Sequence, residues 1–225
     1  MNVCIIPARS GSKRIPKKNI KEFLGRPIIL YSIDAAIESN CFDRVIVSTD
    51  SEEIACLAKN SGAQIPFIRP AEISDDYSST FSVIKHALEQ EELKNSIETV
   101  CCLYATAPFI NAETLCESYE AFTKSRANYC LGVTDFAFPI QRAIIISDEN
   151  RLVMRERCNS KKRSQDLEKT YHDAGQFCWG RASAFKDELP IYSGSTIPYF
   201  LPRHTVQDID TIEDWLLAEA MYKLL

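Results

Sequence analysis

From the amino terminus to about Thr134, short apolar runs alternate with segments of helical period, and this alternation limits the chain to very few folds. NVCII, RVIVST, QIPFIR, ETVCCLY and NYCLGVT read as strands. PIILYSIDAAIES, SEEIACLAKNSG, SSTFSVIKHALEQEEL and NAETLCESYEAFTKS read as the helices between them. Local chemistry supports these assignments. Pro27 suits a first helical turn, Ser51 and Asn111 suit N-caps, Glu52 and Glu53 suit an N-terminal dipole, and Gly62 suits a helix end. A β-α-β-α order predicts an α/β fold: a mostly parallel sheet with helices on both faces. Ligands of such sheets bind beyond the carboxyl ends of the strands.

The alternation breaks after Thr134. AIIIS and RLVMR flank DEN as a hairpin would, and a charged run follows, so residues 135–171 read as an excursion from the main sheet. GQFCWG and TIPYFL then return to the core, and TIEDWLLAEAMYKLL closes the chain as a helix. A length of 225 residues suits a single domain, 1–225, with that excursion inserted in it.

The first strand runs into IIPARSGSKRIPKKN, where Arg9, Lys13, Arg14, Lys17 and Lys18 crowd together in a chain of net charge -5. The acidic balance argues against a nucleic-acid binder, which needs a basic face, but permits a local pocket for a small anion. Small residues Ala8, Ser10, Gly11 and Ser12 allow backbone N–H groups close to a ligand, while Arg9, Lys13 and Lys18 supply cations. A triphosphate needs both. The loop has neither the Walker A pattern nor G-x-G-x-x-G. The plain alternative is a solvated basic loop.

Near the other end, VQDIDTIEDW places Asp208 and Asp210 either side of Ile209. In an extended segment both carboxylates share a face, a hard-oxygen arrangement suited to Mg²⁺. Helix capping by Asp210 or Thr211 is the competing reading, and it leaves Asp208 unexplained. The nine cysteines lack C-x-x-C spacing and mostly sit in apolar runs, as reduced buried thiols do. No stretch is apolar enough to cross a bilayer, and MNVCIIPARSGSKR is not patterned like a secretory leader, so a cytoplasmic location without membrane partners is expected.

PARSGSKRIPKKN, VSTD, RPAEISDDYSST and DIDTIED, in that order, resemble the acylneuraminate/nonulosonate cytidylyltransferases, relatives of CMP-sialic acid synthetase. YATAPFI and YHDAGQFCWG look like the pseudaminic acid branch, although Ala105 stands where that branch usually keeps a proline. The resemblance implies a Rossmann-like nucleotidyltransferase fold whose excursion is a dimerisation arm that helps complete the neighbouring active site, hence a homodimer. It implies Mg²⁺-dependent attack of the anomeric hydroxyl of an acidic nine-carbon sugar on the α-phosphate of CTP, with loss of pyrophosphate. Carried over, Arg9, Lys13 and Lys18 hold the phosphates, and Asn19 helps fix the nucleotide. Arg69, Ser78 and Thr80 face the base, with a surface ion pair to Glu72 as the alternative for Arg69. Tyr104, His172 and Gln176 read the sugar, and Asp208 and Asp210 hold the metal. Arg142, Arg155, Arg157, Lys161, Lys162 and Arg163 are the cations available for the sugar's carboxylate. No residue stands out as the general base, and His86 reads as structural. The alternatives are CMP-N-acetylneuraminate or CMP-legionaminate synthesis, or a CTP-binding sensor without turnover.

Overall fold

The computed structural model describes residues 1–90 and 97–225. The last residues of the SSTFSVIKHALEQEEL helix, 91–93, lie outside them. Strand β1 (Asn2–Pro7) leads into the basic loop, which closes on a short antiparallel pair, β2 (Glu22–Phe23) and β3 (Arg26–Pro27). Then follow α1 (Ile29–Glu38), β4 (Arg44–Ser48), α2 (Glu52–Asn60), α3 (Thr80–Glu89), β5 (Thr99–Leu103), α4 (Ala112–Lys124) and β6 (Tyr129–Asp135). The excursion carries a separate hairpin, β7 (Ile144–Ile146) with β8 (Leu152–Met154). The chain ends with β9 (Tyr171–Arg181), α5 (Ala182–Lys186), β10 (Thr196–Phe200) and α6 (Ile212–Tyr222).

Six strands form the main sheet in the order β10-β6-β9-β5-β1-β4. Strand β9 runs antiparallel to both its neighbours, and the other five strands run parallel to one another. The expected mostly parallel sheet is therefore present, with one reversed strand inside it. Period-two alternation sends β1 side chains to two cores. Cys4 and Ile6 pack with residues of α1, α2 and α4, whereas Val3 and Ile5 pack with residues of α3 and α5. Helices thus cover both faces.

Several local readings hold. Ser51 Oγ accepts from Ile54 N and Asn111 Oδ1 from Thr114 N, and Thr211 forms a reciprocal capping box with Asp214. Two do not. Pro27 sits in β3 and not in the first turn of α1. QIPFIR forms no strand: a single bridge joins Gln64 to Ile46, and the chain then turns away toward the site. The five cysteines on β1, β5, β6 and β9 are buried, as expected, but Cys56 and Cys158 are exposed. Among the described residues no helix is long and apolar enough to cross a membrane.

A third apolar cluster matters most for the site. It joins Ile15 of the basic loop, Phe23 of β2, Ile209 between the two aspartates and Trp215 of α6. Phe23 meets Trp215 edge-on at 5.7 Å between ring centres. Burial of Ile15 and Ile209 forces their charged neighbours outward at the same place.

Candidate active site

The basic loop leaves β1 at the carboxyl edge of the sheet. Ala8 N donates to Ser48 O at 2.9 Å, continuing the ladder one residue past the strand. Ser10 N and Oγ both donate to the carboxylate of Asp50, at 2.8 and 2.7 Å. The backbone donors of Ala8 and Ser10 are therefore committed, and neither residue lines the cleft that opens beyond the loop. Lys17, in the left-handed region at φ 52°, starts the tight turn that aims Lys18 and Asn19 inward. Asn19 Nδ2 donates to Arg9 O at 2.9 Å and so braces the loop from within.

The cleft is lined by loop residues Arg9, Lys13, Lys18 and Asn19, by Arg69, Ser78, Thr80 and Tyr104, and by Asp210 from the far end of the chain. Lys18 makes the junction: its Nζ donates to Ile209 O at 2.7 Å and lies 3.3 Å from Asp210 Oδ1. Arg14 reaches the same carboxylate oxygen at 2.8 Å. The two segments separated by most of the chain thus converge on one cavity. Asp208 does not line it. It borders an adjoining cleft with His172, Asp173 and Arg203, and Asp210 belongs to both.

Arg69 is only 3% exposed and donates from Nε to Ser74 Oγ at 3.0 Å. No ion pair to Glu72 is formed among the described residues. Burial lowers the Arg69 pKa, Asp50 partly restores it, and Arg9 adds to the lowering. The hydroxyl of Ser78 is held by Asp75, at 2.6 Å. Tyr104 is deeply placed. Burial pushes its phenol far up, with Cys102 and Asp173 contributing, so it is a neutral hydrogen-bonding group. Gln176 is 2% exposed, and its Nε2 donates to Thr205 O at 2.6 Å. Its own carbonyl accepts from Tyr104 N at 2.8 Å. It is a brace between β9, the end of β5 and the segment leading to Asp208, and it lines neither cleft.

Strand β9 bulges beside the aspartates. Its pairing with β6 slips between Leu131 and Val133, and Gly175 takes φ +62° there. A Cβ on Gly175 would stand 3.5 Å from the carboxyl carbon of Asp208, an ordinary contact, so it is the left-handed backbone and not lack of space that favours glycine here. Asp208 titrates above the usual carboxylate range. Although its side chain keeps contact with solvent, nearby protein strips part of its hydration, and the charge of Asp210 adds to the effect while Lys18 opposes it. His172 places Nδ1 2.8 Å from Asp173 O and packs on Phe136 at 4.8 Å.

Two acids of the cleft were not singled out from the sequence. Asp76 pairs with Arg9 at 2.6 Å and also with Lys13. Its carboxyl is held below the usual range, first by Lys13 and then by Arg9. Asp75 caps the turn through Ser78. The signal was present as the DD of RPAEISDDYSST, an acidic pair that a basic loop requires somewhere.

Residues 3–211 match the Cytidylyltransferase family. The pseudaminic acid cytidylyltransferase of Campylobacter jejuni subsp. jejuni serotype O:2 is 46% identical over 224 residues, 99% of this chain and 97% of that one. A CMP-N,N'-diacetyllegionaminic acid synthase of Legionella pneumophila is 30% identical over 224 residues, 99% and 96% of the two chains. Among solved structures, a CMP:2-keto-3-deoxy-manno-octonic acid synthetase complexed with CTP superposes with a TM-score of 0.70 at 16% identity, covering 100% of this chain and 99% of that one. That likeness speaks to the fold alone.

Proposed function

Because the chain belongs to the cytidylyltransferase family, we propose that it transfers the CMP group of CTP to the anomeric hydroxyl of a nine-carbon acidic sugar, pseudaminic acid, and releases pyrophosphate. One observation carries the reading: Asp210 and the cationic loop line a single cavity, in a chain nearly half identical to an enzyme of that name.

Arg9, Lys13 and Lys18 receive the triphosphate. In the structure they pair with Asp76 and Asp210, and the phosphates would take over those cations. Arg69, Ser78 and Thr80 border the base, and Asn19 keeps the loop in shape. Tyr104 and His172 bracket the sugar, and Gln176 fixes the distance between them. Positioning the hydroxyl in line with the α-phosphate and stabilising charge there are the main tools of such transfers. Asp208 and Asp210 suit Mg²⁺. Ile209 between them is fully buried, so both carboxylates project from the same side, and crowded hard oxygens of like charge favour a divalent cation. Bound there, magnesium would screen charge on the α-phosphate and acidify the attacking hydroxyl.

The test is pyrophosphate release with CTP and Mg²⁺ across pseudaminic acid, N-acetylneuraminic acid, N,N'-diacetyllegionaminic acid and 3-deoxy-octulosonate. Pseudaminic acid should give the highest kcat/KM. Preference for legionaminate moves the chain to that branch, and CTP binding without any product makes it a sensor.

We also read residues 135–171 as an arm of a single domain that joins two copies. Ile144, Ile145 and Ile146 of β7 are all exposed, Ile146 at 69%, and Leu152 of β8 is 72% exposed. Three consecutive apolar strand residues facing solvent are unstable unless covered. Sedimentation should show a dimer that I145K converts to a monomer; a monomeric wild type refutes the arm.

A further inference from the structure

In a 2-ulosonic acid the carboxylate is bonded to the anomeric carbon, the same carbon that bears the attacking hydroxyl. Whatever cation meets that carboxylate must therefore stand beside the reacting centre. The chain's own arm cations do not line the cleft next to the aspartates. Arg142, for one, is spent inside the arm, donating to Lys162 O at 2.6 Å.

That cleft is strongly acidic. Asp135, Asp173, Asp208, Asp210 and Asp214 all border it. Magnesium held by Asp208 and Asp210 would offset two of these charges, and an anionic sugar entering among the other three would still be repelled unless a side-chain cation met it. Arg203 is the one lysine or arginine among the described residues that line it. It lies in the short turn Arg203–Thr205, a few residues before Asp208, and the same turn is tied to β9 through Gln176. Its guanidinium is half-exposed, and its Nε stands 3.8 Å from Asp135 Oδ1, beyond hydrogen-bond distance. A planar fork with donors to spare suits bidentate recognition of a carboxylate.

We infer that Arg203 binds the carboxylate of the acidic sugar and so sets the anomeric hydroxyl against the nucleotide cleft at Asp210. This rests on the transferase reading above and adds a specificity residue to it. Ulosonic acids are selected over neutral ketoses because, without a carboxylate to pair with Arg203, the neutral sugar loses that charge-assisted contact and its orientation.

Steady-state kinetics with pseudaminic acid, CTP and Mg²⁺ test the assignment. R203Q should raise the KM for the sugar at least tenfold and leave the KM for CTP within about twofold, the loss of one charge-assisted contact. R203K should recover part of the sugar affinity. D135N removes the weak ion pair but keeps the guanidinium, so its sugar KM should not rise. Equal effects of R203Q and D135N, or parallel rises in both KM values, reduce Arg203 to a structural partner of Asp135 and overturn the inference. If R203Q does not fold, the R203K and D135N pair still decides: sugar KM raised by R203K alone supports the contact, and no difference between them refutes it. A wild type inactive on every acidic sugar fails at the earlier step and overturns both readings.

Discussion

The two adjoining halves of the candidate site, the cleft at the basic loop and the cleft at the aspartates, handle charge in opposite ways. The amino-terminal loop collects cations whose partners are already in place. Asp76 answers Arg9 and Lys13, and Asp210 answers Arg14 and Lys18. These pairs are partly exposed to solvent, where water screens them and keeps them weak. On the transferase reading, a triphosphate with several charges would displace them. The carboxyl-terminal half collects acids faster than it supplies cations. Asp208 feels Asp210, Asp214 and Asp173, and only Lys18 opposes them. The loop's cations are paired with acids, whereas the aspartate side gathers like charges with little to offset them. On the function proposed above, one half would exchange its acids for phosphates and the other would receive a cation.

That contrast is broken most directly at Asp210, which belongs to both halves. D210A should lower kcat by roughly 10³-fold or more, since the charge stabilisation asked of that carboxylate is several kcal/mol. CTP affinity should hold or improve, because Arg14 and Lys18 lose a competing acid. Calorimetry with CTP beside turnover measurements checks both, and wild-type turnover refutes the metal assignment. A smaller effect is expected at Lys18. K18A should weaken CTP by roughly 10- to 100-fold, the worth of one charge-assisted hydrogen bond. Cytidine, with no phosphates, should bind K18A within about twofold of wild type. Equal losses for both ligands place Lys18 away from the triphosphate.

The sheet was legible because each strand and helix carries its own period, and the caps at Ser51 and Asn111 are single-residue signals read locally. Strand β9 was legible as a strand but not as a reversed one. Direction depends on the long return through residues 136–170, which no local pattern encodes. In the site, Arg9, Lys13, Lys18 and Asp210 were legible because charge crowding in an acidic chain is itself unusual. What joins them was not, although its trace was there. Ile15 and Ile209 are apolar residues set among charges, and their burial in one cluster is what brings loop and aspartates together. At Gln176 the structure shows a bracing role that its sequence position did not suggest. A polar residue on a strand beside a site reads as a ligand, but here its amide holds Thr205 and stays buried.

The mildest test compares an acid from each half by stability alone. Asp208 has a raised folded-state pKa, so its contribution to stability is fully present below the unfolded-state value and is lost as pH rises through the folded one. At neutral pH, D208N should therefore melt above the wild type, and the difference should shrink as the solution is acidified below the ordinary carboxylate range. Asp76 has a depressed pKa, so its contribution is present above the unfolded-state value and is lost as pH falls through the folded one. D76N should accordingly melt below the wild type at neutral pH, by a small margin because the pair is solvent-screened. Adding Mg²⁺ should raise the wild-type and D76N melting temperatures and leave D208N nearly unmoved. Melting curves of the three proteins at neutral and acid pH, with and without Mg²⁺, give the answer. Shifts of the same sign for D208N and D76N at neutral pH mean that the aspartate side is no more strained than the loop, and the reading of Asp208 as a carboxylate awaiting a cation falls with it.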